Sequence, residues 1–185
     1  FTLNNICFSI EQGHIVGLIG RNGAGKSTAI KGILNLIQTT GEIKSFERNF
    51  RENESWAKEK LGYVSGGFRH YPLKKLSVIS KAFSMFYPNW NQQKFEHFLK
   101  IFNLDINKKV SELSEGMKVK FSIALALSHN AELLIMDEPT SGMDPLSREE
   151  FCDILLNLVA EEHISVLFST PITTGLERVA DHVIY

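Results

Sequence analysis

Apolar residues fall along this chain in two rhythms, short unbroken runs and stretches at helical spacing, and the two alternate. Ile15-Val16-Gly17-Leu18-Ile19, Leu61-Gly62-Tyr63-Val64-Ser65, Leu133-Leu134-Ile135-Met136 and the run from Ile164 to Phe168 have the length and content of buried strands. Between them lie Ile30, Ile33, Leu34 and Ile37, then Phe95, Phe98, Leu99 and Phe102, then Phe151, Ile154, Leu155, Leu158 and Val159. Each set recurs at the i, i+3, i+4, i+7 spacing of an amphipathic helix. Residues 114–128 read as a further helix that ends in the apolar Ile123 to Leu127, and Leu176 to Ala180 as a last short one. Asn91 is placed as an N-cap, and Asp144-Pro145 pairs an N-cap with proline at the first helical position. Residues 3–10 alternate, with Leu3, Ile6, Phe8 and Ile10 against polar neighbours, and predict a half-buried strand; Glu42 to Phe46 predicts another. Alternating strands and helices argue for an α/β domain with a mainly parallel sheet. Residues 66–112 break the alternation, opening on Gly66-Gly67 and crowding Phe68, Tyr71, Phe83, Phe86, Tyr87 and Trp90 together. This section reads as an inserted helical piece whose aromatics mostly pack in the core.

The first strand and the first helix are joined by Gly20-Arg21-Asn22-Gly23-Ala24-Gly25-Lys26-Ser27-Thr28. That stretch satisfies the phosphate-loop pattern G-x-x-x-x-G-K-[S/T] in the strand–turn–helix context the pattern needs. Its glycines let the backbone curl so that successive N–H groups of Asn22, Gly23, Ala24 and Gly25 turn inward as an anion nest, and the helix adds its positive end. Lys26 is expected to reach the outer phosphates of a nucleotide, the Ser27 hydroxyl to ligate Mg²⁺, and Thr28 to complete the loop. A chance match in a chain of this length and glycine content is on the order of one percent. The run Leu133 to Met136 ends in Asp137-Glu138, and in a parallel sheet ligands gather at the carboxyl ends of strands. Asp137 is therefore expected to hold Mg²⁺, directly or through water, and Glu138 to polarise the water that attacks the terminal phosphate.

Composition narrows the setting. At 185 residues the chain is the size of one domain, and a net charge of −1 offers no basic field for nucleic acid. Cys7 and Cys152 lack metal-ligand spacing and suit a reducing cytosol. No apolar run approaches the roughly 20 residues of a membrane helix, and no signal peptide is evident. A chain that starts on Phe1 and stops on Tyr185 inside an apolar run reads as trimmed at both ends.

These motifs, in this order, resemble the nucleotide-binding subunit of an ABC transporter across nearly the whole chain. The phosphate loop at 20–28 is followed by Leu113-Ser114-Glu115-Gly116-Met117 in place of the family's Leu-Ser-Gly-Gly-Gln signature. Then come a Walker B strand at 133–138 and Ser141-Gly142-Met143-Asp144 as the D-loop. The run from Leu113 to Asp144 is similar to bacterial exporters whose membrane subunits are separate chains. The resemblance implies a single domain over 1–185. It would comprise a RecA-like P-loop core (1–65 and 113–185), a small antiparallel β part and a helical subdomain at about 67–112. It also implies a head-to-tail dimer, with the same or a different ATP-binding subunit, that sandwiches two ATP molecules. Ser114 and Gly116 would then contact the γ-phosphate bound by the opposite subunit. The helical part would receive a coupling helix from a membrane-spanning permease subunit, at the cytoplasmic face of the membrane.

Four positions depart from the family. Gly66 stands where a glutamine usually follows the strand Leu61–Ser65. Glu115 and Met117 replace glycine and glutamine in the signature. Pro171 replaces the histidine after Ser169-Thr170, and neither His163 nor His182 is placed to substitute for it. The resemblance therefore leads to an ATP-hydrolysing transport motor with impaired or partner-dependent turnover. The alternative is a nucleotide-gated regulatory subunit with little or no hydrolysis.

Overall fold

The computed structural model describes residues 2–66, 71–171 and 178–185. Five strands form one sheet: β1 (Ile15–Ile19), β4 (Leu61–Ser65), β5 (Leu133–Asp137), β6 (Ser165–Thr170) and β7 (His182–Ile184), in the order β4-β5-β6-β1-β7. All four pairings are parallel. The remaining strands, β2 (Lys44–Ser45) and β3 (Arg48–Asn49), make a separate antiparallel ribbon. The helices are α1 (Lys26–Ile33), α2 (Glu54–Glu59), α3 (Leu76–Ser84), α4 (Gln92–Ile101), α5 (Glu115–Ser128) and α6 (Pro145–Glu162).

Successive strand residues point to opposite faces, and the interior divides accordingly. Ile15, Leu134, Met136, Val166 and Phe168 join the cluster that takes in α4, α5 and α6. Val16, Leu18, Ile135 and Leu167 join Ile30 and Leu34 at the α1 end and Phe50 beyond the ribbon. A sheet covered on both faces needs the unbroken apolar runs seen in the sequence. The 66–112 insertion does not build a core of its own: Leu76, Phe95, Phe98 and Val110 belong to the same cluster as Ile15 and Met136.

Helix starts follow the capping chemistry. The Asn91 side chain accepts from Lys94 N at 3.0 Å, Ser114 Oγ from Met117 N at 3.2 Å, and Asp144 Oδ1 from Ser147 N at 3.0 Å, with Pro145 at the first helical position.

One expectation fails. Residues 3–10 form no strand. Asn5 turns to a left-handed φ of 54°, Ile6 stays 50% exposed, and only Phe8 and Ile10 lean on the core. An alternating pattern becomes a strand only where an edge is free to pair with it, and the ribbon spans two residues per strand. Strand β7 escaped the sequence reading, since three residues carry too little periodicity. Of the last predicted helix, residues 176 and 177 lie outside the described residues, as do Gly67 and Phe68.

Candidate functional site

The carboxyl ends of the central strands lie level, because Ile19 pairs with Thr170, Asp137 with Ser169 and Ser65 with Asp137. The sheet therefore brings the phosphate loop and the acidic pair to one edge. Within the loop, Gly23 and Gly25 take φ values of 85° and 108°, the left-handed region that a side chain disfavours. Gly25 is the N-cap of α1, so Lys26, Ser27 and Thr28 form the first turn of the helix. Its unpaired N–H groups and dipole face the loop. Asn22, Gly23 and Ala24 are exposed, Ser27 and Thr28 half-buried.

Lys26 is the exception, a cation only 6% exposed. Its amine donates to Gly20 O at 2.8 Å and Arg21 O at 3.3 Å, and lies 3.5 Å from Glu138 Oε1. One ammonium group thus ties the two ends of the loop to the acidic strand, and a buried cation of this kind is tolerable only with such partners.

The acidic pair is held from behind by a residue the sequence reading passed over. Ser169, fully buried on β6, donates its hydroxyl to Asp137 Oδ1 at 2.6 Å and accepts from Glu138 N at 2.9 Å. A serine at the carboxyl end of an apolar strand run, beside the strand that carries the acidic pair, is the signal that could have found it. Glu138 itself has a φ of 49°, and its carbonyl accepts from Ser141 N at 3.1 Å. Gly66 N–H donates to Asp137 O at 2.8 Å. A Cβ at Gly66 would lie 2.4 Å from Glu138 O, so the backbone at this position has no room for a side chain.

Ser114 and Gly116 open α5. Their contacts run to Met117, to Lys118 and to Ser147, whose Cβ would be 3.7 Å from a Cβ at Gly116. They line a shallow hollow shared with Met117, Met143, Ser147 and Phe151, and no phosphate-loop residue borders it. Within one chain, then, the signature segment and the loop form two separate surfaces. Glu115 folds back onto Lys118 at 2.7 Å, and its Cγ lies against Gly142 of the D-loop. Its charge is neutralised locally instead of facing outward. The Ser147 hydroxyl and N–H hold the Asp144 carboxyl below the usual carboxylate range, so that cap stays charged. Pro171 is exposed just beyond β6.

The donor set fits a magnesium nucleotide. Among the described residues no cluster of three or more His, Cys, Asp and Glu could hold a metal by itself. Ser27 and Asp137 alone suit Mg²⁺, which keeps most of its ligands as water and phosphate oxygens.

Parallel order, glycine cradle, buried lysine and strand-end carboxylates define a phosphate-loop nucleotide-binding domain. The sequence model for the ABC transporter family matches residues 3–141, and the chain belongs to that family. It is 34% identical over 189 residues to the bacitracin transport ATP-binding protein BcrA of Bacillus licheniformis, covering 98% of this chain and 60% of that protein. The chain thus spans about three fifths of that relative. Among solved structures, an ATP-binding subunit of an ABC transporter superposes with a TM-score of 0.80 at 28% identity, over 96% of this chain and 77% of that one. The dimeric post-hydrolysis structure of the ATP-binding cassette MJ0796 with ADP and Pi superposes at 0.80 and 24% identity, over 99% of this chain and 85% of that one, a likeness of fold. Among the described residues, no helix is long and apolar enough to cross a membrane.

Proposed function

We propose that the chain is the ATP-binding and hydrolysing motor of an ABC transporter, acting on a separate membrane-spanning permease subunit from the cytoplasmic face of the membrane. The observation that carries this is the meeting of Lys26 and Glu138 at 3.5 Å, on a loop and a strand end placed side by side by the sheet. Asn22 to Thr28 would hold the phosphates through backbone N–H groups, with Lys26 as the point charge on the outer ones. Ser27 and Asp137 would hold Mg²⁺, which when bound offsets the negative charge of the phosphate oxygens. Glu138 would orient a water and take its proton as the water oxygen bonds to the terminal phosphorus and the bond to ADP breaks.

In this reading the domain comprises a core at 1–65 and 113–185 and a helical subdomain at about 67–112. Two such subunits, alike or different, would close head to tail, so that Ser114 and Gly116 meet the phosphates held by the partner. The dimeric cassette with the same fold supports that arrangement. Tyr71 and Phe86, 67% and 80% exposed on the insertion, suit contact with the permease. The relative's bacitracin transport supports a transport role and leaves the cargo to the permease.

A second reading, a nucleotide-gated subunit with little hydrolysis, draws on Gly66 and Pro171, which offer no polar side chain to the reacting centre. Two variants separate the readings. Lys26→Ala is expected to lose binding of a fluorescent ATP analogue, and an affinity within threefold of the parent removes the phosphate-loop role. Glu138→Gln is expected to keep that affinity, lose hydrolysis and trap a dimer with Mg-ATP, read by size exclusion with light scattering. Undiminished ATPase activity in Glu138→Gln would make Glu138 structural. A parent that binds the analogue yet shows no measurable hydrolysis supports the regulatory subunit.

A further inference from the structure

The Ser169 hydroxyl touches both members of the acidic pair, through the side chain of one and the backbone of the other. A hydroxyl carries one proton and two lone pairs. Here the proton goes to Asp137 Oδ1 at 2.6 Å, and a lone pair receives Glu138 N–H at 2.9 Å. The register of β5 and β6 puts Ser169 directly opposite Asp137, and Ser169 is fully buried, so water does not compete for either bond. Hydrogen bonds of a hydroxyl to a carboxylate are short and strong, and they fix the acceptor's rotamer as well as stabilising it.

The neighbouring geometry shows why such a fixture matters. Glu138 sits in the left-handed region at φ 49°, a conformation unfavourable for a non-glycine residue and held only by its surroundings. Its N–H is tied to Ser169, its carbonyl accepts from Ser141, and Gly66 closes on that carbonyl from the β4 side. Its side chain is thereby directed at Lys26. Asp137 has Oδ1 committed to Ser169, and among the described residues Oδ2 has no such bond, so it is the oxygen that can turn to a cation or its water.

We infer that Ser169 is a positioning residue that sets the metal-facing oxygen of Asp137 and the backbone of Glu138 together, coupling cation binding to the water-activating carboxylate. This rests on the motor reading above for the role of Glu138, but its effect on the cation does not require hydrolysis. Pro171, two residues on and beyond the end of β6, has no polar side-chain atom to share the task.

The test uses the full-length protein with Ser169→Ala and Ser169→Thr. Two quantities are read: the Mg²⁺ concentration that half-maximally enhances binding of the fluorescent ATP analogue, and kcat at saturating Mg-ATP. Ser169→Ala is expected to raise the half-saturating Mg²⁺ about tenfold and lower kcat at least tenfold. Analogue affinity in EDTA should stay within twofold of the parent. Ser169→Thr, which keeps the hydroxyl, is expected to recover most of both. Parent-like Mg²⁺ dependence in Ser169→Ala overturns the inference, as does an equal defect in both variants. If Ser169→Ala does not fold, Ser169→Cys takes its place, with a weak S–H donor on a slightly larger side chain and the same expected shift. Should Glu138→Gln hydrolyse as the parent does while Ser169→Ala still shifts the Mg²⁺ requirement, the motor reading fails and the role toward Asp137 stands.

Discussion

Pro171 and Gly66 both lack the side chain expected from the resemblance, yet the structure separates their consequences. Pro171 is exposed beyond β6, where an imidazole has space, and its ring also deletes a backbone N–H. On the motor reading proposed above, replacing it would restore a donor toward the terminal phosphate, and losing one such transition-state contact costs about 10²–10³ in rate. Pro171→His is therefore expected to raise kcat at least tenfold without improving ATP affinity, measured by steady-state phosphate release. Gly66 is different, because a Cβ there meets the Glu138 carbonyl at 2.4 Å. Adding Gly66→Gln to Pro171→His should lower kcat below that of the single variant, since the strand end must shift and carry Glu138 with it. A double variant faster than Pro171→His would show that the backbone at 66 yields without cost. A Pro171→His protein no faster than the parent would mean that the missing imidazole does not limit turnover.

At the scale of elements, the amphipathic stripe of α4 is the join between insertion and sheet domain. Phe95 is fully buried, with ring centroids 5.2 Å from Trp90 and 6.4 Å from Phe121 of α5. Deleting that ring leaves a cavity where neither α4 nor α5 can collapse inward, and Phe→Ala changes of this kind cost about 3–5 kcal/mol. Phe95→Ala is expected to lower the urea midpoint by a corresponding amount at unchanged slope. A two-step transition in its place would show that the insertion unfolds apart from the sheet, against the shared core seen here. The aromatic crowding of 71–90 was readable as core packing for Phe83 and Trp90, which lean on that cluster, but not for Phe86, which is 80% exposed. Spacing says which residues share a face, and only packing says which face is covered.

For the molecule as a whole, His129 ties three parts together. It is 2% exposed at the end of α5, stacked 3.8 Å from Tyr87 of the insertion and bonded through Nδ1 to Glu59 O at 3.1 Å. Burial pulls its pKa below the usual 6.5, although the carbonyl of Glu59 partly opposes this. The sign follows directly. Below pH 6.5 the unfolded chain takes up a proton at this imidazole that the folded one refuses, so this contribution is whole above that pH and is lost as pH falls toward the folded value. Urea midpoints compared between pH 7.5 and 5.5 should therefore drop less in His129→Phe than in the parent. Equal drops in the two proteins would mean that this histidine titrates alike in both states.

The sequence by itself determined the strand–helix alternation, the phosphate loop, the acidic strand end and the caps at Asn91 and Asp144. Each is local: it depends on residue types within a few positions, whose conformational and hydrogen-bonding preferences act before any packing. Tertiary structure decided what depends on residues far apart in the chain. Residues 3–10 stayed irregular because they pair with no strand despite their alternation, and three residues near the end became β7 by pairing with the edge of β1. The strand register placed Ser169 against Asp137, 32 positions away, and the close approach of β4 and β5 made Gly66 a steric necessity as well as a missing glutamine. Hydrogen bonding across strands and steric exclusion between them are fixed by the sheet's register, and spacing along a single chain does not encode that register.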